Sequence, residues 1–169
     1  MSKLLLRSKQ RLASAKRDLN FINDDTSNID GACFQIQQSM VFAMKYLLEI
    51  NGIDYGRTHN IRNLLSLIID NGLYDSSLTP FNLNAEKYTN WETLSRYDDN
   101  FTASVKDVTD AVNYTSSLIK FVESTVSQST IPEDAITWCR NNAPEALKNL
   151  NDFELWESMQ DIYYKYGAS

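Results

Sequence analysis

The sequence predicts an all-α fold, and three observations lead to that prediction. The 169 residues include only five glycines and three prolines, so the chain has few of the residues that favour sharp turns. Apolar residues recur at steps of three and four positions in several long segments, as they do along one face of an α-helix. No segment sustains the alternation of apolar and polar residues that predicts a half-buried strand.

Two segments near the start of the chain predict the first two helices. Residues 4–22 keep one apolar face, and the polar run "NDDTSN" then ends the helix because short polar side chains bond their own backbone. A second helix is expected to begin at Asp30, as its N-cap, and to end near Ile50, where "NG" follows. The predicted inner face of the first helix consists of Leu5, Ser8, Leu12, Ala15, Leu19 and Ile22.

The second helix is predicted to have an apolar inner face and a polar outer face. The inner face consists of Cys33, Ile36, Met40, Ala43 and Leu47. The outer face consists of Gln35, Gln38, Ser39, Lys45 and Glu49. Phe42 falls among the outer positions, although burying one Phe is worth about 1.5–3 kcal/mol. We therefore expect either a second copy of the chain or the C-terminal helices to cover Phe42.

Three further segments complete the predicted bundle. Thr58 is expected to cap a third helix that ends at Asp70. Residues 73–84 are predicted to be a loop, and a helix follows over Ala85–Tyr97. The longest helical pattern runs from about Thr102 to Val126, over some six turns.

The last 40 or so residues predict short helices. The segment "TIPE" at 130–133 has the pattern of a capping box with proline in the first turn, so a helix should follow it to about Asn141. The segments "NNAPEALKNL" and "DFELWESMQDIYYKYG" predict two more.

The net charge of −6 disfavours a general nucleic-acid binder, but the charge is uneven. Residues Glu133–Asp161 carry seven acids against Arg140 and Lys148. We interpret this asymmetry as two solvated faces that attract each other, with a basic docking surface for RNA or an acidic partner as the alternative. Six basic residues precede the first acid, Asp18: Lys3, Arg7, Lys9, Arg11, Lys16 and Arg17.

The cysteine and histidine content predicts neither a metal site nor another cofactor. Cys33 and Cys139 form no CxxC pair, and the chain has a single histidine. Polar residues interrupt the apolar stretch after Gly31, so no membrane span is expected. Reduced cysteines fit a cytoplasmic protein.

Two stretches of the chain resemble the HEPN domain, the higher eukaryote and prokaryote nucleotide-binding family. The first is "DGACFQIQQSMVFAMKYLLEINGI", similar to the family's A-C-F-x-x-Q-Q-x-x-E-K-x-L-K, and the second is "THNIRNLL", similar to T-H-D-L-x-x-L-L. "SRYDD" at 95–99 is similar to the family's R-Y-P-D element. The matching residues of the two stretches are Ala32, Cys33, Phe34, Gln37, Gln38 and Lys45, then Thr58, His59, Leu64 and Leu65.

The resemblance implies an antiparallel bundle of four to five helices over residues 1–127. Residues 128–169 lie outside the resemblance, and we expect them to form a helical extension packed on the bundle. HEPN proteins often form dimers, and many are encoded beside a small nucleotidyltransferase in toxin–antitoxin pairs. Here Val41 and Phe42 replace the family's Glu-Lys pair, which favours an apolar contact. We therefore expect Gln38, Val41 and Phe42 to contact either a second copy or the C-terminal helices.

Many HEPN toxins are ribonucleases that use an R-x4-6-H motif, in which His moves a proton and Arg stabilises the phosphorane. The only histidine here is His59, and the positions where the arginine would stand hold Gly52, Ile53 and Asp54. The chain is thus predicted to be a divergent member without catalytic residues.

A phosphate or nucleotide site is the remaining chemical hypothesis. His59 and Arg62 are three residues apart, and Arg57 precedes the predicted helix N-terminus, which favours anions. Arg96 would join them, and Tyr97 would stack on a base. In the structural alternative, His59 is a boundary residue and the arginines pair with Asp54 and Asp70.

Three functions fit these patterns. The first is a non-catalytic HEPN-like protein that acts through self-association and through a partner protein or bound nucleotide, linked to a separately encoded nucleotidyltransferase. The second is a toxin-type endoribonuclease with an altered Arg/His arrangement. The third is an adaptor that docks a partner through the aromatic residues of its C-terminal segment, which are Trp138, Trp156, Tyr163, Tyr164 and Tyr166.

Overall fold

The computed structural model of the protein describes residues 3–21 and 27–168. Within these ranges it contains eight α-helices and no strand, which confirms the all-α prediction. The helices are α1 (Leu4–Asn20), α2 (Ser27–Ile50), α3 (Ile61–Asp70), α4 (Thr79–Leu83), α5 (Ala85–Tyr97), α6 (Val105–Thr130), α7 (Ala135–Asn142) and α8 (Asp152–Ile162). Short 3₁₀ turns span Ser76–Leu78 and Glu145–Leu147, and a π-helical turn spans Tyr163–Gly167.

The chain divides into two compact units, Met1–Phe121 and Val122–Ser169. The division falls inside α6, a few residues before the boundary at 127 that the sequence suggests. The packing of the C-terminal extension on the bundle stays a prediction. Among the described residues, no helix combines the length and the apolar character that crossing a membrane requires.

α2 is the central helix of the first unit and packs against α1, α3 and α5. Two reciprocal hydrogen bonds fix α1 against it: Ser8 Oγ donates to the carbonyl of Ser39 at 2.7 Å, and Ser39 Oγ donates to the carbonyl of Ser8 at 2.7 Å. Arg11, three residues after Ser8 on α1, is bonded to Gln35, four residues before Ser39 on α2. The two helices therefore run antiparallel. Small side chains at the contact allow the two backbones to approach closely.

The predicted polar outer face of α2 is wrong in part, because neighbouring helices enclose much of it. Ser39 is fully buried, Gln38 is 8% exposed and Lys45 is 7% exposed. A central helix of a bundle has neighbours on several sides, so its polar residues are buried wherever they find partners. The side chains of α2 between Ala32 and Glu49 that remain at least partly exposed are Phe34, Gln35, Phe42 and Glu49, which we call the α2 strip.

Two helix starts differ from the sequence predictions. α2 begins at Ser27, so Asp30 lies in its first turn. α3 begins at Ile61, and Asn60 caps it by accepting a 3.2 Å hydrogen bond from the N–H of Asn63. Thr58 therefore precedes the cap, and its hydroxyl accepts the N–H of Asn60 at 3.0 Å.

The segment predicted as a loop, 73–84, contains a 3₁₀ turn and α4. Asp75 begins this turn by accepting the N–H of Ser77 at 3.0 Å, and proline lies in the first turn of α4, where it is tolerated. Phe81 is fully buried and its ring lies 6.2 Å from that of Tyr88 on α5. Five residues of α4 are too few to show a helical period, so the sequence gives no sign of it.

The boundary between α6 and α7 also differs from the expectation. α6 continues through Thr130, and α7 begins at Ala135 after Asp134, which makes no side-chain capping bond. The capping box predicted at "TIPE" does not begin a helix. Ile22 and residues 23–26 of the predicted "NDDTSN" break lie outside the described residues.

The C-terminal unit has its own apolar core, which consists of Ala135, Cys139, Leu155, Trp156, Met159 and Tyr163. Arg140 joins α7 to the start of α8 through a 2.7 Å ion pair with Asp152. Gly167 is required by packing, since a Cβ there would lie 2.6 Å from the Trp138 ring. Of the aromatic residues proposed for partner docking, Tyr164 and Tyr166 are exposed, while Trp156 and Tyr163 belong to the core.

Replacing Met40 by aspartate tests the burial of α2. Met40 is fully buried, and an unpaired carboxylate there should lower the free energy of unfolding by at least about 3 kcal/mol. Thermal denaturation followed by circular dichroism measures the loss. Glu49→Asp on the exposed strip is the control and should melt like the wild type. A helical Met40→Asp variant with unchanged melting would contradict the assigned face.

Candidate functional site

Two buried glutamines of α2 hold the loop before α3. Gln38 Nε2 donates to Gln37 Oε1 at 2.7 Å, and Gln37 Nε2 donates to the backbone carbonyl of His59 at 3.3 Å. Each amide thus has a partner although Gln37 is fully buried and Gln38 nearly so. The glutamine pair therefore ties the backbone of His59 to α2.

α5 supplies the second anchor of this loop. The N–H of Ile61 donates to Thr89 Oγ1 at 3.1 Å, and His59 Nδ1 lies 4.0 Å from Glu92 Oε1. The His59 side chain is 42% exposed and that of Glu92 is 25% exposed. The imidazole and the carboxylate are therefore held beside each other at the surface, where a ligand can reach both.

Arg96 lies one turn beyond Glu92 on α5 and close to two aromatic rings. Its guanidinium carbon is 4.9 Å from the centre of the Phe34 ring and 5.0 Å from that of Tyr97. Its Nε donates to the carbonyl of Glu92 at 2.9 Å. Within the described ranges the terminal nitrogens of Arg96 have no carboxylate partner. An exposed, oriented guanidinium of this kind can receive an anion.

Lys45 lies farther along α2 and is almost enclosed. Its ammonium is 5.4 Å from the centre of the Tyr55 ring, and it forms no hydrogen bond with the described residues. Burial lowers the pKa of Lys45, and the nearby Glu92 carboxylate partly opposes that change. Lys45, which matches the last lysine of the family's first motif, is therefore a nearly buried cation beside Tyr55.

The sequence model of the HEPN domain family matches residues 1–125, about three quarters of the chain. The chain belongs to the HEPN domain family. No curated protein and no solved structure matches it. Membership indicates a function connected with nucleotides or RNA. Among the described residues, His, Cys, Asp and Glu side chains form no group of three or more that could hold a metal ion.

The HEPN unit brings together only part of the predicted phosphate site. His59 lies beside the Glu92 carboxylate and Arg96 bonds the Glu92 backbone carbonyl, but Arg62 points to α4, where it donates to Asn82 Oδ1 at 3.1 Å. His59 precedes α3 instead of lying on it, so a spacing of three residues does not place it on the same face as Arg62. Arg57 is exposed and makes no hydrogen bond or ion pair with the described part of the chain.

The N-terminus of α3 has little capacity left for an anion. The N–H of Ile61 is bound by Thr89, and that of Asn63 is bound by Asn60. The alternative in which the arginines pair with acids is wrong for Arg62, which is bonded to the side-chain amide of Asn82. Asp54 instead accepts the N–H of Gly56 at 2.9 Å within its own turn.

The three residues predicted to contact a second copy or the C-terminal helices differ in exposure. Val41 is fully buried and Gln38 nearly so, whereas Phe42 is partly exposed. Phe42 lies beside α1 at a surface cavity of about 480 Å³. Dimer formation stays a prediction for this HEPN protein.

Sequence reasoning missed Phe34 and Glu92 as parts of the site. Phe34 belongs to the family motif, but its contact with Arg96 joins residues 62 positions apart and has no local signal in the sequence. Glu92 lies four residues before Arg96, which is one helical turn. That spacing is the signal by which Glu92 could have been found.

Both thiols of the HEPN protein should be unreactive while it is folded. Burial, with a smaller contribution from the Asp30 and Asp107 charges, raises the pKa of Cys33 to about 12, and burial also raises the pKa of Cys139. The thiolate is the reactive form, so an aromatic disulfide reagent should release almost no colour at pH 8. The same reagent should titrate both thiols in guanidinium chloride. Rapid reaction of the native protein would contradict the assigned burial.

Proposed function

We propose that this HEPN protein is a non-catalytic nucleotide-binding protein that receives a phosphate on Arg96. The observation that carries the proposal is the exposed Arg96 guanidinium, which lies close to the Phe34 and Tyr97 rings and has no carboxylate partner within the described residues. A guanidinium of fixed plane can bind two phosphate oxygens at once, and less side-chain entropy is lost when the plane is already held.

The neighbours of Arg96 suit the remaining parts of a nucleotide. The Tyr97 ring is 73% exposed and offers a stacking surface, and base–aromatic stacking is worth about 1–3 kcal/mol per base. The Glu92 carboxylate can accept hydrogen bonds from ribose hydroxyls or a base amino group. His59, beside Glu92, adds a ring N–H donor.

Calorimetric titration with ATP or a dinucleotide tests the site. Arg96→Ala should weaken binding about tenfold or more, the loss that goes with about 1.4 kcal/mol. Arg62→Ala is the matched control, because this arginine was an equal candidate from sequence but is bonded to Asn82, and its removal should leave the affinity unchanged. Absence of heat at millimolar ligand, or equal losses in both variants, would reject the site.

A ribonuclease is the second candidate, favoured by the exposed His59–Glu92 pair, with Arg96 one turn away and bonded to the backbone carbonyl of Glu92. We place it second because the family's R-x4-6-H spacing is missing from the sequence. Total RNA should therefore stay intact when incubated with the purified protein, and with His59→Ala as well. Cleavage by the wild type that disappears in His59→Ala would establish the ribonuclease.

The partner proteins are proposals that rest on the family resemblance. The first partner is a second copy of the chain, which light scattering tests. The second is a separately encoded nucleotidyltransferase, which copurification from the native host tests. A cytoplasmic location is proposed because both cysteines are free and buried, as suits a reducing compartment. If the protein is an adaptor, the exposed Tyr164 and Tyr166 are the residues of the aromatic segment that would contact a partner.

A further inference from the structure

The solvent-facing side of α1 is cationic. Four basic side chains lie within about 120° of one another around this helix, and none of them forms an ion pair with the described residues. Arg11 donates to Gln35 Oε1 at 3.0 Å, and Arg17 donates to Ser14 Oγ at 3.0 Å, so both are bonded to neutral groups. Asp18, the only acid of α1, lies in its last turn. The four residues of this cationic face are Lys3, Arg7, Arg11 and Arg17.

A cavity with an aromatic side chain in its lining adjoins the cationic face. It has a volume of about 480 Å³ and is lined by Arg7, Gln10, Arg11, Ser14 and Phe42. Phe42 belongs to α2 and is partly exposed. The cavity therefore offers two guanidinium groups beside an apolar ring. This combination suits a partner that brings a carboxylate next to an aliphatic side chain.

The solvent-facing side of α8 is acidic. Glu154, Glu157 and Asp161 lie within about 60° of one another around the helix, on the side away from the core of the C-terminal unit. The carboxylates of Glu154 and Asp161 form no ion pair with the described residues. Ile162 follows Asp161 and is 46% exposed. Lys165, one turn after Asp161, lies over a neighbouring tyrosine ring.

The two faces match in charge and in spacing. When α8 of one copy lies antiparallel to α1 of another, Asp161 can lie between Arg7 and Arg11, which are about 6 Å apart along their helix. Glu154 precedes Asp161 by about 10.5 Å along α8. Arg17 lies about 12 Å beyond the midpoint of the Arg7–Arg11 pair, so Glu154 comes close to it.

We infer that the protein associates head to tail, with the acidic face of α8 in one copy on the cationic face of α1 in the next. Ile162 then lies at the cavity beside Phe42, so the contact buries apolar surface as well as pairing charges. α8 lies outside residues 1–125, which the family model matches. Family membership therefore does not supply this contact.

Charge decides between a head-to-tail contact and a two-fold one. A two-fold contact centred on Phe42 would bring Arg7 and Arg11 of both copies together, and like charges oppose such a contact. The head-to-tail contact joins opposite charges, although each copy carries a net charge of −6. Because every copy offers one face of each kind, this contact extends into a ring or a chain of copies.

Sedimentation velocity of the wild type and of charge-reversed variants tests the inference. At low salt the average mass should rise with concentration, and added salt should reverse the rise because the charged faces are exposed. Arg7→Glu and Asp161→Lys should each raise the dissociation constant at least about tenfold.

Lys16→Glu and Glu133→Lys are the matched controls, because they change the net charge by the same amounts. Lys16 is exposed on α1 about 180° away from Arg7, and Glu133 is exposed before the start of α7. Both controls should associate as the wild type does.

A mixture of the two charge-reversed variants separates a head-to-tail contact from any other. The Arg7→Glu copy keeps its acidic face, and the Asp161→Lys copy keeps its cationic face. The mixture should therefore form a one-to-one dimer that adds no third copy. Ile162→Ala leaves the charges unchanged and should weaken association of the otherwise wild-type chain about fivefold.

Three results would overturn the inference. They are a wild type that stays monomeric at low salt, a mixture of the two variants that associates no better than either alone, and association that neither Arg7→Glu nor Asp161→Lys weakens. The last result would leave the proposed second copy standing but place it on another surface.

The inference rests on the proposed second copy, and it goes beyond the proposed nucleotide site because it uses none of that site's residues. ATP should therefore bind Arg7→Glu as it binds the wild type, and failure of the head-to-tail contact would leave the nucleotide site intact. Assembly as described by a protein that binds no ATP would reject the nucleotide site and keep the contact.

Discussion

The near-complete enclosure of α2 is the constraint on which the rest of the first unit depends. α1, α3 and α5 all contact this helix, so any polar group on it needs a partner inside the bundle. Ser39 finds one in Ser8 of α1, and Gln37 finds one in the backbone of His59. An unsatisfied amide or hydroxyl at these positions would cost about 1–3 kcal/mol, which is a large part of a domain's stability.

The same constraint concentrates the chemistry of the surface. Once its neighbours have covered α2, a narrow strip of it remains, and aromatic side chains occupy part of that strip. Planar cations pack well on exposed rings, because a guanidinium keeps its edge hydrated while its face covers the ring. Arg96 on Phe34 is the clearest case. The position of the candidate site thus follows from the packing of the bundle.

Periodicity predicted the long helices because α2, α5 and α6 each repeat their apolar spacing over several turns. It failed where the local signal is short or ambiguous. Thr58 and Asn60 are both good capping residues, and the hydrogen bond from Asn63 selects Asn60. The outer face of α2 was misassigned for a different reason. A sequence shows which side chains are polar, but only the neighbouring helices determine which polar side chains are buried, as at Ser39 and Lys45.

The candidate site was predictable only where its residues share one helix. Arg96 and Tyr97 belong to a motif of adjacent residues, whereas the pairing of His59 with Arg62 assumes a helix that begins at His59. α3 begins two residues later, at Ile61. His59 lies in the loop, where Gln37 bonds its backbone carbonyl, and its ring lies beside Glu92 on α5. Arg62, on α3, faces α4 instead. A shift of a helix start by less than one turn is therefore enough to move a side chain from one surface site to another.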